Sequence, residues 1–248
     1  MKPNDACLQA LRLTREGADI IDLGAESSRP GAKAVSEEEE LNRLLPVLQE
    51  LRRNIQIPIS IDTTKSKVAQ AALELGAEII NDVSGLANDP ELANVVSEFG
   101  AGLILMHRRG SPKTMQSLAH YEDVMREVTA ELSQSMEVAR SRGVSFDQIV
   151  CDPGIGFAKT ADQNLEVLER LSELKELGRP ILVGPSRKSF IGAITKQEPR
   201  DRLFGTVSAC VLAFERGARI LRVHDVKPVK EALLIAEAVV SRERKVSL

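Results

Sequence analysis

Short runs of apolar, often β-branched residues alternate along the chain with longer segments whose apolar positions recur at helical spacing. This alternation is typical of βα units and of a parallel sheet. Seven strands are predicted, at residues 20–26, 58–63, 78–84, 103–107, 149–154, 180–186 and 220–225. Eight helices are predicted, near residues 4–16, 37–53, 65–75, 90–98, 122–142, 162–177, 199–216 and 228–240.

The order of these elements begins and ends with a helix. Eight helices with seven strands are what a (β/α)8 barrel retains when it is cut just before its first helix, and such a barrel has about 250 residues. The predicted fold is therefore one α/β TIM-barrel domain over residues 1–248 that lacks barrel strand 1. The alternative is an open doubly wound sheet, but the GxGxxG fingerprint of that fold is absent.

Composition narrows the class of protein. Lys and Arg number 33 against 36 Asp and Glu, so the net charge of −3 gives no electrostatic reason to expect nucleic acid or an anionic membrane as partner. Cys7, Cys151 and Cys210 are scattered and odd in number, which favours free thiols in a reducing compartment. No run approaches the roughly 18 apolar residues of a membrane span. We expect a soluble, cytoplasmic protein.

Polar side chains follow nearly every predicted strand. Any one of them is more often a cap or a turn former than a functional group. As a set at the carboxyl ends of barrel strands, they predict an active site. The set comprises Asp22 and Glu26, Asp62 with Lys65, Asn81 with Asp82, His107, Asp152, Ser186 to Ser189, and Arg222 with His224 and Asp225.

Two further polar features can be explained by local structure alone, without a functional role. Ser36 and Glu39 make a capping box, so the acidic run 37–40 is interpreted as a helix N-terminus rather than a cation site. His107 is as consistent with a hydrogen-bonded strand-end histidine as with a catalytic one.

Three groups suggest specific chemistry. Arg222 and His224 are two positions apart on a predicted strand, so both would leave the same face and form an anion site. The segment SRKS (186–189) adds further cations and hydroxyls, and either group alone could be an ordinary phosphate site. Asp62, Asn81 and Asp152 suit a flat heterocycle with adjacent N–H donors, although acidic strand ends also hold magnesium.

Seven segments, in order and spacing, resemble dihydropteroate synthases. They are GADIIDLGAESSRPGA (17–32), ISIDTTKSKVA (59–69), EIINDVSG (78–85), LMHRRGSPKTMQ (105–116), DPGIGFAKT (152–160), GPSRKSFIG (184–192) and RLFGTVSACVLAFERGARILRVHDV (202–226). The resemblance implies a transferase of folate biosynthesis. Its reaction condenses 6-hydroxymethyl-7,8-dihydropterin diphosphate with 4-aminobenzoate to give dihydropteroate and diphosphate.

The resemblance also implies roles for individual residues. The pterin ring would lie against Asp62, Asn81, Asp152 and Lys188, and the diphosphate against Arg222 and His224. The aminobenzoate pocket would be formed by Ser28, Arg29, Pro30, Phe157, Lys188 and Ser189. Asp62, Lys188, Arg222 and His224 would be catalytic in an SN1-like displacement, assisted by Mg²⁺.

The chain departs from the family pattern at several points. The family's first strand and loop, which carry the Asn ligand of magnesium, are absent, so no metal ligand is expected within this chain and a strand is expected upstream of Met1. Ala25, Ser28, Ala158 and Arg108 replace the usual Gly, Thr, Gly and Met. These departures keep open a pterin-binding paralogue without synthase activity. A pterin-dependent methyltransferase barrel is the further alternative, although it would not need Lys188 or the Arg222–His224 pair. The resemblance finally implies a homodimer.

Overall fold

The computed structural model describes the backbone of residues 3–27 and 31–246, and the side chains of residues 4–27 and 31–240. In the described residues seven strands form one sheet, all pairs are parallel, and the strands lie side by side in chain order. The strands are β1 (Ile21–Gly24), β2 (Ile59–Asp62), β3 (Ile79–Asp82), β4 (Gly102–Met106), β5 (Ile149–Asp152), β6 (Ile181–Val183) and β7 (Ala218–Leu221).

Helices connect the strands on the outside of this sheet. The α-helices are α1 (Pro3–Arg15), α2 (Glu37–Asn54), α3 (Ser66–Glu74), α4 (Glu91–Phe99), α5 (Val124–Ser141), α6 (Ala161–Glu169), α7 (Ser189–Thr195), α8 (Leu203–Glu215) and α9 (Val226–Val246). Short 3-10 helices lie at Met115–Leu118, Phe146–Gln148, Leu171–Leu177 and Pro199–Asp201. No helix in the described part of the chain is long and apolar enough to cross a membrane.

The strand order confirms the predicted fold class. A doubly wound sheet reverses its strand order at a switch point, whereas here the order runs without reversal from β1 to β7, as in a barrel. All seven predicted strands are present, and no pairing among the described residues joins β7 to β1. The sheet is therefore a curled, open barrel wall.

The predictions were wrong in two places. The segment Ser189–Thr195 is a helix that was interpreted as loop, so the described residues contain nine α-helices rather than eight. The last strand ends at Leu221, so Arg222 and His224 follow the strand instead of belonging to it. The alternation of side chains along a strand therefore does not apply to this pair.

Local signals explain where the helices begin and end. Ser36 caps α2 by accepting a hydrogen bond from the Glu39 amide at 3.2 Å, which is one half of the predicted capping box, while the Glu39 carboxylate binds Arg43. Asp123 caps α5, and Thr160 with Gln163 forms a capping box on α6. Gly100 ends α4 in the left-handed conformation (φ 63°).

The core lies between the sheet and the helices. Ile59, Ile61 and Leu103 on the strands and Leu48 and Leu132 on the helices are fully buried. Burial of each such side chain contributes about 1.5–3 kcal/mol. This packing leaves the carboxyl ends of the strands free to carry polar groups.

Candidate active site

The carboxyl ends of the strands converge on one pocket. Asp62 ends β2, Asn81 lies near the end of β3 and Asp152 ends β5, because neighbouring parallel strands finish at the same edge of the sheet. The structure thus brings together the predicted ring-binding residues. The pocket is lined by Asp62, Asn81, Val83, Met106, Asp152, Ile155, Phe157, Gly184, Lys188 and Arg222.

Arg222 binds two carboxylates on one side of this pocket. Its Nε donates to Asp22 Oδ2 at 2.6 Å and its Nη2 donates to Asp62 Oδ2 at 3.1 Å. Asn81 Nδ2 donates to the same Asp22 oxygen at 3.2 Å. A guanidinium that follows the last strand is therefore joined to side chains on β1 and β2, across the open edge of the sheet.

Two polar atoms in this cluster are unsatisfied. Asp22 Oδ1 and Asn81 Oδ1 are buried and have no hydrogen-bond partner among the described residues. A buried acceptor without a donor costs about 1–3 kcal/mol, so such atoms are expected to meet a donor in the functional state. An N–H-bearing ligand would supply one.

The two carboxylates that line the pocket hold protons more tightly than usual. Burial, reinforced by the charge of Asp22 and opposed by Arg222, raises the pKa of Asp62 to about 7. Burial also raises the pKa of Asp152 to about 6, although the Gly154 amide donates to Asp152 Oδ1 at 2.7 Å and lowers it. Raised pKa values at converging strand ends indicate a functional site.

Lys188 and Phe157 form the opposite wall. Lys188 precedes α7, and its Nζ lies 4.2 Å from the centroid of the Phe157 ring. Gly156 has φ 83°, and a β-carbon there would meet Lys188 Cδ at 2.9 Å, so this approach requires glycine. Ser189 begins α7 on the exposed surface and does not line the pocket.

The structure separates the residues of the predicted anion-binding site into those that line the pocket and those that do not. Arg222 lines the pocket, whereas His224 does not; the Nδ1 atom of His224 lies 3.0 Å from Ser186 Oγ. Arg187 makes a bidentate pair with Asp225 (3.0 and 2.7 Å), so it fixes the loop before α7. Of the two cations in the segment 186–189, only Lys188 lines the pocket.

His107 is a buried, hydrogen-bonded histidine at the end of β4. Its Nε2 lies 3.0 Å from Glu131 Oε2 and its Nδ1 lies 2.9 Å from Lys159 Nζ. Lys159 is itself buried, and no pattern in the sequence distinguishes it from a surface lysine. It is a residue that the sequence interpretation missed.

The acidic run at the start of α2 also contains a residue with an unforeseen partner. Glu40 is buried, and both Glu40 and Glu26 bind the Lys65 ammonium. The capping interpretation is confirmed for Ser36, but Glu40 in addition ties α2 to the end of β2.

Two of the residues that depart from the family pattern, Arg108 and Ala158, have unusual local environments. Arg108 Nη2 lies 3.4 Å from Asn88 Oδ1, and its buried Nε has no hydrogen-bond partner in the part of the chain described. Ala158 has φ 46°, a left-handed conformation that explains why glycine is common there. Ser28, Arg29 and Pro30 lie outside the described residues.

Comparison with known families shows to which family the chain belongs. Residues 1–224 match the model of the family described as pterin binding enzyme. The chain belongs to the pterin binding enzyme family. The dihydropteroate synthase of Synechocystis sp. is 50% identical over 231 residues, which are 93% of this chain and 80% of that protein. The Escherichia coli K12 dihydropteroate synthase is 40% identical over 237 residues, 96% of this chain and 84% of that protein.

Solved structures give the same result. The Clostridium difficile dihydropteroate synthase, crystallised in the presence of pteroic acid, superimposes with a TM-score of 0.91 at 44% identity, covering 96% of this chain and 88% of that one. The Xanthomonas albilineans dihydropteroate synthase with 4-aminobenzoic acid has a TM-score of 0.91 at 42% identity, covering 96% and 85%. This pterin-binding enzyme is thus a transferase of the dihydropteroate synthase type.

Proposed function

We propose that this enzyme condenses 6-hydroxymethyl-7,8-dihydropterin diphosphate with 4-aminobenzoate to form 7,8-dihydropteroate and diphosphate. The observation that carries the proposal is the convergence of Asp62, Asn81 and Asp152 on one pocket with unsatisfied acceptors at Asn81 and the adjoining Asp22. A pterin ring presents adjacent N–H donors, which such acceptors bind and orient. Pteroic acid and 4-aminobenzoic acid accompany the related structures.

The reaction follows from the charges around the pocket. The C–O bond of the substrate breaks with its electron pair going to the diphosphate, which leaves a pterin methylene cation. The carboxylates of Asp62 and Asp152 stabilise this cation, while Lys188 and Phe157 hold the ring and shape the pocket next to it. The lone pair of the aminobenzoate nitrogen then forms the new C–N bond, and the ammonium that results loses a proton to solvent.

Departure of the diphosphate is assigned to Arg222 and His224; for His224, which does not line the pocket, this assignment rests on the family resemblance. Arg222 lies at the pocket and donates to two carboxylates in the unliganded enzyme. A diphosphate would compete with Asp22 and Asp62 for the guanidinium, and charge-assisted pairs of this kind favour the more highly charged partner. The aminobenzoate pocket is assigned to Ser28, Arg29, Pro30, Phe157, Lys188 and Ser189. For Ser28, Arg29, Pro30 and Ser189 this assignment rests on the family resemblance, whereas Phe157 and Lys188 line the pocket.

Magnesium is proposed as a companion of the diphosphate. The described residues contain no group of three or more His, Cys, Asp or Glu side chains that could hold a metal. Asp22 and Asp62, the two carboxylates beside Arg222, already bind its guanidinium. These residues do not fit a metal site of their own, so no step is assigned to the ion. Diphosphate oxygens are ligands that Mg²⁺ prefers.

We also propose a cytoplasmic homodimer. Ile194 on α7 and Phe204 and Leu212 on α8 are exposed to 60%, 84% and 45%. Large apolar side chains exposed on two helices that contact each other are candidates for a protein–protein contact. Free Cys151 and Cys210, both buried, agree with a reducing compartment.

The direct test is dihydropteroate formation from the two substrates with Mg²⁺ present. The wild-type enzyme is expected to form product, and Asp62→Asn to lose most of the turnover because one carboxylate no longer stabilises the cation. Asp147→Asn, whose carboxylate is 92% exposed and paired with Arg179, is the matched control and should retain full activity. Absence of product with the folded wild-type enzyme would overturn the proposal.

A further inference from the structure

The loop that follows β5 is closed by a lysine folded back inside it. Lys159 Nζ donates to the carbonyl oxygens of Gly154 and Phe157 at 3.3 and 3.2 Å, and it lies 2.9 Å from His107 Nδ1. An ammonium has three N–H donors, and three acceptors surround this one. A single side chain therefore joins two carbonyl groups of the loop to His107, the residue that follows β4.

The same loop presents two residues to the pterin pocket. Asp152 ends β5 just before the loop, Phe157 lies within it, and both line the pocket. Gly154 packs so closely against β4 that a β-carbon there would meet His107 O at 2.0 Å. A side chain at position 154 would therefore push the loop away from the residue that follows β4.

The contact between Lys159 and His107 depends on how the His107 ring is oriented. Burial, reinforced by the charge of Lys159, lowers the pKa of His107 to about 4, so the ring is neutral near pH 7. Its Nε2 faces the Glu131 carboxylate, which requires the Nε2–H tautomer and leaves the lone pair of Nδ1 for Lys159. Arg109 holds Glu131 through its Nε at 2.9 Å.

Lys159 is not otherwise used by the proposed reaction. It is fully buried and does not line the pocket, although burial without an adjacent carboxylate is costly for an ammonium. Burial lowers the pKa of Lys159 to about 7. The charges of Asp152 and Glu131 raise this pKa, and those of Arg109 and Lys188 lower it further. A leucine or methionine would fill the same space but would leave the carbonyls of Gly154 and Phe157 and the Nδ1 atom of His107 without this donor, so a role in holding the loop is expected.

We infer that Lys159 is a positioning residue of the pterin site: oriented by His107 and Glu131, its ammonium holds the loop 152–157 in the form that presents Asp152 and Phe157 to the ring. The inference rests on the proposed function of the pocket. Lys159 acts through the loop and does not touch the substrate.

The test compares two neutral replacements of nearly the same size. Lys159→Met keeps the apolar stem and removes all three donors, whereas Lys159→Gln keeps an amide that can donate to the loop carbonyls. The affinity for the pterin diphosphate, measured by calorimetry, is expected to fall at least tenfold in Lys159→Met and less in Lys159→Gln. Lys67→Met, a replacement of an exposed lysine paired with Glu37, is the control and should bind as the wild type does.

A second variant keeps the inference testable if Lys159→Met does not fold. Glu131→Gln weakens the orientation of His107 from outside the loop and should lower pterin affinity in the same direction. The ¹⁵N signals of His107 should at the same time lose the pure Nε2–H pattern of the wild-type enzyme. Wild-type pterin affinity in folded Lys159→Met, or in Glu131→Gln when Lys159→Met is unfolded, would overturn the inference. Failure of the wild-type enzyme itself to form dihydropteroate would instead refute the proposed function.

Discussion

The centre and the edge of the sheet hold their functional residues by different means. At the centre, Asn81 and Asp152 lie on strands whose neighbours pair with them on both sides, and the Asp152 carbonyl accepts a further hydrogen bond from the His107 amide at 2.9 Å. At the edge, β1 and β7 each have one neighbour among the described strands. There, the side chain of Arg222 provides the contact between the two ends through Asp22 and Asp62.

This difference separates two tasks of the site. Backbone pairing fixes the acceptors for a ring in advance, so they lose little freedom when the ring binds. The guanidinium at the edge is 45% exposed and is held by ion pairs, which a stronger anion can replace. The centre is therefore expected to select the pterin, and the edge to respond to the diphosphate.

The largest effect is expected at the centre. Asp152→Ala removes a buried carboxylate from the pocket and leaves the N–H donors of the ring without acceptors, at about 1–3 kcal/mol for each donor. Two lost hydrogen bonds predict a fall in pterin affinity of about a hundredfold, measured by calorimetry with an uncharged pterin. Unchanged affinity in the folded variant would remove Asp152 from the ring site.

A smaller and more selective effect is expected at the edge. Arg222→Ala removes a charge-assisted contact of about 1.5–3 kcal/mol to the diphosphate. Binding of the pterin diphosphate should weaken by roughly ten- to a hundredfold, while binding of the uncharged pterin should change much less. Equal losses for the two ligands would show that Arg222 supports the sheet as a whole rather than the leaving group.

The sequence predicted the centre better than the edge. Asp62, Asn81 and Asp152 each follow a buried β-branched run, and the position at the end of a parallel strand determined their convergence. His224 and Arg187 could not be assigned in this way. Strand β6 ends at Val183, before Arg187, and β7 ends at Leu221, before His224, so the contacts of both residues depend on loop geometry. Lys159 was missed because its three acceptors are made by the folded loop and leave no periodic pattern.

The pH dependence of pterin binding should distinguish the contributions of Asp62 and Asp152. Each must be ionised to accept the N–H donors, and the pKa values of about 7 and about 6 mean that a proton has to leave when the ring binds at lower pH. Affinity therefore falls as the pH is lowered below about 7, by up to about tenfold per unit for each carboxylate. Asp152→Asn should remove the lower step and keep the upper one. A flat profile between pH 5 and 8 (roughly the window of these two titrations) would contradict both roles.

The smallest effect concerns the conformation of the central loop itself. Ala158 is buried with φ 46°, in a region that costs a residue with a β-carbon roughly 1–2 kcal/mol. Ala158→Gly relieves that strain, but it removes about 0.8 kcal/mol of methyl burial and increases the freedom of the unfolded chain. These terms nearly cancel, so the free energy of unfolding should change by less than about 1 kcal/mol.

Ala69→Gly in α3 is the matched control, since Ala69 is equally buried but helical and gains nothing from glycine. It should lose about 1 kcal/mol or more, because glycine is unfavourable within a helix and the methyl burial is lost as well. Chemical denaturation of the two variants measures the difference directly, and an equal loss in both would show that the loop holds Ala158 without strain.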